Sequence, residues 1–182
     1  MESSMKKPYI ICHMMISIDG RIDCAMTSKL PGVDDYYTTL DEINVSTTVS
    51  GRVRAELEMA KPYLIVTSEK VSKEYLDYLD GQNISWIACG KEHVDLARAV
   101  EILAEKFGVE RMGIVGGPKI NTAFLEAGLL DEISLLVGAG IDGRGGMPSV
   151  FDGLAMEHDV TRLKLIDVKK FDSDAVQIRY QC

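Results

Sequence analysis

Arg111-Met112-Gly113-Ile114-Val115-Gly116-Gly117-Pro118-Lys119-Ile120 carries an apolar strand pattern straight into two glycines and a proline. Proline is favoured in the first turn of a helix, where its missing N–H costs nothing, so the stretch predicts a strand, a tight turn and a helix over 118–127. Paired glycines at such a turn let the backbone approach a ligand closely, and a helix start offers unpaired N–H groups and a dipole that suit phosphate. The segment reads equally as a pyrophosphate cradle and as a tight turn with no ligand.

On the N-terminal side, residues 9–18 are apolar on both faces, which predicts a buried central strand broken by Asp19-Gly20. The pattern over 21–44 is irregular, with Pro31-Gly32 and the acidic-aromatic run Asp34-Asp35-Tyr36-Tyr37, and predicts a long loop with at most one short helix. Strands are then expected at 45–50, 63–66, 85–89 and 111–115, alternating with helices at 52–60, 72–79 and 95–107. Such alternation predicts a mainly parallel sheet covered on both faces. Leu96, Val100, Leu103 and Phe107 fall at helical spacing, and Gly108 and Gly128 sit at stop positions. Beyond a strand at 132–137 and a glycine-rich loop over 138–146, residues 163–170 and 175–180 flank Phe171-Asp172-Ser173-Asp174 as an antiparallel hairpin at one sheet edge. A single domain over 1–182 is expected, with 1–7 as a flexible lead-in.

Composition sets outer limits. The 182 residues are 46% hydrophobic and 26% charged, with 16 Gly and 5 Pro, an ordinary globular balance. The longest apolar stretches, near Ile114 and Leu135, fall far short of the roughly 20 residues of a membrane-spanning helix. Lys and Arg total 20 against 28 Asp and Glu, and a net charge of -8 disfavours nucleic-acid binding. No secretory signal pattern follows Lys7, so a cytoplasmic location is expected. Cys12, Cys24, Cys89 and Cys182 form no CxxC spacing and read as reduced thiols, with no metal site.

Two further strand ends carry anion-binding character. Ser50-Gly51-Arg52-Val53-Arg54 puts two cations in a first helical turn, where the dipole disfavours them unless an anion is bound. Ile65-Val66-Thr67-Ser68-Glu69-Lys70 ends a strand in two hydroxyls and a lysine, which suits a terminal phosphate. Open α/β sheets bind ligands at the carboxyl ends of their strands, so three candidates there predict a dinucleotide. No GxGxxG fingerprint follows the first strand, which ends in Ser17-Ile18-Asp19-Gly20 instead.

The ordered set Ser17-Ile18-Asp19-Gly20-Arg21-Ile22, Gly51-Arg52, Val66-Thr67-Ser68, Val115-Gly116-Gly117 and Gly128-Leu129-Leu130-Asp131-Glu132-Ile133 resembles the reductase domain of the bifunctional riboflavin-biosynthesis pyrimidine deaminase/reductase, in the dihydrofolate-reductase-like superfamily. The resemblance implies a three-layer α/β/α fold with a mainly parallel central sheet, NADPH as cofactor and a homodimer, as in many relatives. It places Gly116, Gly117, Pro118, Lys119 and Ile120 on the cofactor pyrophosphate, with Gly51, Arg52 and Val53 on its other side. Thr67 and Ser68, with Lys70 as a lesser helper, would approach the 2′-phosphate, and Met15 would lie near the nicotinamide through its backbone. Asp19 becomes the catalytic candidate, facing the substrate as a hydrogen-bond partner or proton donor. A turn-forming aspartate before glycine is the plainer reading.

The chain also departs from that pattern. Val115 stands where pyrimidine-reducing relatives commonly carry Glu, and 27–37 replaces their Gly-Glu-Ser-Lys-Trp-Ile stretch. The zinc deaminase half has no counterpart. The expected activity is reduction of a small heterocycle of the 5-amino-6-(5-phosphoribosylamino)uracil type. A reductase of another small imine, carbonyl or pterin, or a nucleotide-binding module without turnover, stays open. Inside the first strand, His13 reads as a core histidine. Tyr36 and Tyr37 read as pocket lining or a buried hook, the methionines as core filler, and 138–146 as a mobile flap or an irregular crossing.

Overall fold

This computed structural model describes residues 6–51 and 64–182. In chain order its elements are β1 (Tyr9–Ile16), α1 (Cys24–Thr27), α2 (Val33–Glu42), β2 (Thr47–Val49), β3 (Leu64–Thr67), α3 (Lys73–Gly81), β4 (Ser85–Ala88), α4 (Leu96–Lys106), β5 (Arg111–Ile114), α5 (Pro118–Glu126), β6 (Glu132–Val137), β7 (Lys164–Lys170) and β8 (Val176–Gln181). Contacts divide the chain into two compact units, one of Tyr9–Gly51 and Arg111–Cys182, the other holding the described parts of Met1–Pro8 and Arg52–Glu110.

The first unit is a six-stranded sheet in the order β2-β5-β1-β6-β8-β7. β2, β5, β1 and β6 run parallel, and β8 and β7 close the far edge antiparallel. Every residue of β1 after Tyr9 is buried. Parallel strands need crossover connections that place chain over the sheet, so a near-continuous apolar run is what such a position requires. The polar exception is His13, fully buried, and its ring is satisfied: Nδ1 lies 3.0 Å from Ser134 Oγ and Nε2 lies 3.3 Å from both Tyr36 O and Thr39 Oγ1. Ser134 Oγ also accepts from Gln177 Nε2 at 2.9 Å, and the imidazole stacks on Tyr36 with centroids 4.8 Å apart. His13 is a core histidine and Tyr36 the buried hook, while Tyr37 is exposed.

α2 occupies much of the stretch expected as loop. Only Tyr36 and Thr39 are buried within it, with Ile43 just beyond, so it meets the sheet through a narrow face. Asp34 and Asp35 in the first turn favour the helix by complementing its dipole. Met14, Met15 and Met112 are buried as expected of core filler, but Met156 is exposed.

In the second unit β3 and β4 pair parallel as a separate two-stranded sheet, whereas the alternation had predicted one continuous sheet. Ser72 Oγ caps α3 by accepting from Tyr75 N at 3.2 Å, and Asp95 Oδ1 caps α4 by accepting from Arg98 N at 3.0 Å. α4 buries Ala99, Val100, Leu103 and Ala104, and Phe107 at its end is exposed despite its helical spacing. The helix expected at 52–60 lies outside the described residues, as do residues 1–5 of the lead-in.

Ser134 holds His13 and Gln177 together in the core. Ser134→Ala removes the oxygen both reach and is expected to cost about 1–3 kcal/mol, read as a lower urea midpoint at unchanged slope.

Candidate active site

At the carboxyl ends of β2 and β5 the backbone draws two expected segments together. Val115 N donates to Val49 O at 3.0 Å and Gly51 N donates to Gly116 O at 2.8 Å, so Gly51 sits against the Gly116–Gly117 turn. The Gly116–Gly117 peptide is cis. Gly116 has φ +102°, and a Cβ there would lie 3.0 Å from Met14 Cε. The conformation therefore favours glycine, and a Cβ would in addition have to displace the end of the Met14 side chain slightly. Gly117 is the N-cap of α5 and Pro118 opens its first turn, with no side chain capping the helix. The first-turn N–H groups of a helix have no intrahelical partner, which leaves those of Lys119 and Ile120 available to an acceptor. Among the described residues a Cβ on Gly117 would meet nothing within 4 Å. Gly51, Gly116, Gly117, Pro118, Lys119 and Ile120 thus fit a pyrophosphate: backbone donors, a favourable dipole and a surface free of side chains.

Other candidates lie elsewhere. Thr67 ends β3 in the second unit, its carbonyl accepting from Cys89 N at 3.0 Å, and Ser68 O accepts from Val71 N at 3.2 Å. Lys70 is in an ion pair with Glu92. Met15 packs its side chain with Tyr36, Leu136 and Ala175 in the core. Val115 is buried. Arg52 and Val53 lie outside the described residues.

Asp19, just past β1, does something the sequence did not show. Its Oδ1 accepts from Ser17 Oγ at 2.6 Å and from Asp142 N at 3.0 Å, and its Oδ2 accepts from Gly143 N at 3.0 Å. These donors, the Ser17 hydroxyl first and then the loop amides, hold the carboxyl well below the usual carboxylate range. Of the two chemical roles the resemblance leaves to Asp19, these three donors favour the hydrogen-bond acceptor, because they stabilise the ionised carboxylate.

That carboxylate is the centre of a latch on the loop over 138–146. Ile18 N donates to Gly140 O at 2.8 Å, and Arg144 Nη2 reaches Asp23 Oδ2 at 2.8 Å and Asp142 Oδ2 at 2.9 Å. Leu30 packs on the loop so closely that a Cβ on Gly140 would lie 2.5 Å from its Cδ2. The loop is anchored to the segment after β1 rather than left as a free flap. Asp19 and Gly143 are 124 residues apart, so no local spacing could have announced the latch.

A mainly parallel α/β sheet with a glycine cradle at its carboxyl edge defines the fold class of a reductase-type α/β protein. The family model described as the RibD C-terminal domain matches residues 43–177, and the chain belongs to that family. Membership makes it an oxidoreductase of the riboflavin-biosynthesis reductase type. Similar solved structures include a pyrimidine reductase-like protein from Corynebacterium diphtheriae, 16% identical with TM-score 0.80, covering 96% of this chain and 91% of that one. RibD of Acinetobacter baumannii is 17% identical with TM-score 0.74 and covers 96% of this chain, which spans 58% of RibD. The riboflavin biosynthesis reductase Rib7 of Saccharomyces cerevisiae is 13% identical with TM-score 0.65, covering 100% of this chain and 92% of Rib7. At these identities the likeness is one of fold.

Two substitutions probe this edge. Gly116→Ala forces a side chain into a positive-φ position against Met14 and is expected to destabilise by at least about 1 kcal/mol by urea denaturation. Asp19→Asn sets an NH2 against a loop amide, and amide exchange at Asp142 and Gly143 is expected to quicken about tenfold. Because the folded pKa of Asp19 is lowered, the latch is fully present above the unfolded value of about 3.9 and weakens only as pH falls through the lower folded value. Protection of those two amides, corrected for intrinsic rates, should accordingly be flat from about pH 5 to 8.

Proposed function

We propose that this chain is a single-domain, NADPH-dependent reductase of a small heterocyclic substrate, of the 5-amino-6-(5-phosphoribosylamino)uracil class. A diaminohydroxyphosphoribosylaminopyrimidine deaminase/5-amino-6-(5-phosphoribosylamino)uracil reductase of Thermotoga maritima has a similar fold at 17% identity, and this chain spans 56% of it. The observation that carries the proposal is the juxtaposition of Gly51 with Gly116–Gly117 at the start of α5. NADPH, when bound, supplies a hydride from its nicotinamide C4.

The protein's work is then to bind and orient. Lys119 and Ile120 N–H groups at the start of α5 hold the pyrophosphate against the Gly116–Gly117 backbone, with Gly51 beside them; Arg52 and Val53, which the resemblance adds, lie outside the described residues. On the family resemblance, Thr67 and Ser68 are the candidates for the 2′-phosphate and the Met15 backbone the candidate for the nicotinamide. Lys70, already paired with Glu92, contributes less to that phosphate than a free lysine would. Asp19 orders the loop over 138–146 beside the substrate and offers it an anionic acceptor, not a proton.

A second reading keeps the reductase and changes the substrate. Val115 is buried and apolar where pyrimidine-reducing relatives commonly carry Glu, which favours another small imine, carbonyl or pterin. Among the described residues no helix is long and apolar enough to cross a membrane. We place the enzyme in the cytoplasm, acting on a free small molecule as a homodimer.

Thermal-shift titration with NADPH and NADH tests the cofactor. Selective binding adds RT ln(1 + [L]/Kd), about 2.7 kcal/mol at a hundredfold excess over Kd, so a clear rise in Tm with NADPH and a smaller one with NADH is expected. No rise with either would mean that the glycine cradle is a structural turn.

A further inference from the structure

Residues 147–152 form a strap fastened at both ends, although the chain is exposed over 143–146 before it and over 155–163 after it. At the first end Arg21 Nη1 donates to Met147 O at 2.6 Å, Ile22 N donates to Pro148 O at 3.2 Å, and Arg21 and Ser149 form an antiparallel bridge. At the second end Asn121 Nδ2 donates to Val150 O at 2.8 Å, and Thr122 Oγ1 both donates to Asp152 O at 3.1 Å and accepts from Asp152 N at 2.9 Å. Between the two, Val150 is buried, Ser149 Oγ donates to Phe151 O at 2.7 Å, and the Pro148 ring fixes its own φ. A segment pinned in this way passes a displacement on instead of absorbing it.

Each anchor belongs to one of the two segments that form the candidate site. Asn121 and Thr122 follow the donors of the glycine cradle on α5, and Asn121 N donates to Gly117 O at 3.1 Å. At the other anchor Arg21 N donates to Ser17 Oγ at 3.0 Å, and that hydroxyl donates at 2.6 Å to Asp19 Oδ1. The Asp19 carboxylate in turn holds the amides of Asp142 and Gly143. A continuous run of hydrogen bonds and main chain thus joins the cradle to the latched loop over 138–146.

Burial alone does not account for Asn121. It is fully buried, and among the described residues its Oδ1 has no hydrogen-bond partner. A buried acceptor without a donor is costly, so an apolar side chain would serve packing better. What the amide adds is a donor aimed at the strap.

We propose that the strap over 147–152 couples the cofactor cradle to the substrate loops, with Asn121 and Thr122 as its positioning residues. An occupied cradle steadies the segment after β1 and the loop over 138–146 before the substrate arrives, and by reciprocity a bound substrate tightens the cofactor by the same factor. This deepens the proposed reductase reading and rests on it for the occupant of the cradle, NADPH.

Native-state amide exchange of the full chain tests it. Thr122→Val removes both hydroxyl bonds to Asp152, and Thr122→Ser keeps them. In Thr122→Val exchange at Ile22 and Gly143 is expected to quicken about tenfold with the amides of β6 unchanged, whereas Thr122→Ser behaves as wild type. Saturating NADPH should slow exchange at Ile22, Asp142 and Gly143 in wild type and Thr122→Ser but not in Thr122→Val, while raising Tm in all three. The proposal is overturned by unchanged exchange at Ile22 in folded Thr122→Val, by a rise that β6 shares, by NADPH raising the wild-type Tm without slowing those amides, or by slowing that survives in Thr122→Val. Should Thr122→Val fail to fold, Arg21→Met cuts the strap at its other end and is expected to quicken exchange at Asp152; no change there overturns the proposal equally. A wild-type Tm that NADPH leaves unmoved counts against the cofactor reading, and the strap then stands or falls on the Ile22 result.

Discussion

β1 lies between parallel partners on both edges, and from Ile10 to Ile16 every residue is buried. Each backbone group there must pair inside the protein, because a buried unpaired donor or acceptor costs about 1–3 kcal/mol. The ladders with β5 and β6 meet that demand for the main chain. For the buried imidazole of His13 in the strand, Ser134 and Thr39 meet it, and in doing so they tie α2 to the sheet.

The same constraint builds the site. Parallel neighbours cannot be joined by hairpins, so each strand must deliver its chain to the carboxyl edge before crossing back. Residues 17–20, Gly51, Gly116–Gly117 and the loop over 138–146 therefore all follow the carboxyl ends of strands in one sheet. What they present is mostly backbone: a glycine turn, the start of α5, and loop amides fastened to Asp19. A chain with net charge -8 gives an anionic ligand no long-range help. Fixed N–H donors act at contact distance, where the screening length of about 8 Å matters little.

Much of this was legible in the sequence, and the rest was hidden for identifiable reasons. The two-faced apolar run of β1, the strand into Gly116-Gly117-Pro118 and the turn over 171–174 are local patterns with local causes, and the structure has each where the sequence put it. α2 runs longer than the one short helix allowed for, because Pro31-Gly32 and the acidic-aromatic run over 34–37 carry local loop character while its contacts to His13 come only with the fold. The separate β3–β4 sheet was missed because alternation fixes the order of strands but not which of them pair. Asp19 looked like a turn residue or a catalytic acid, since its loop partners lie more than 120 residues downstream and only the fold brings them near.

The latch bears on where substrate discrimination resides in the proposed reductase. Val115 is 5% exposed and its N–H is spent on Val49 O, so it presents neither charge nor a free main-chain donor at the end of β5. A carboxylate at that buried position would need a cation or several donors to remain ionised. Fixed polar groups do gather beyond β1, where Ser17, Asp19, Asp23, Asp142 and Arg144 hold one another. Because Asp19 and Arg144 are already fixed by neighbours, they hold their geometry without rearrangement when a substrate arrives. Discrimination then falls to the shape of the two loops they pin together, the segment after β1 and residues 138–146, rather than to any single ionisable group at the end of β5.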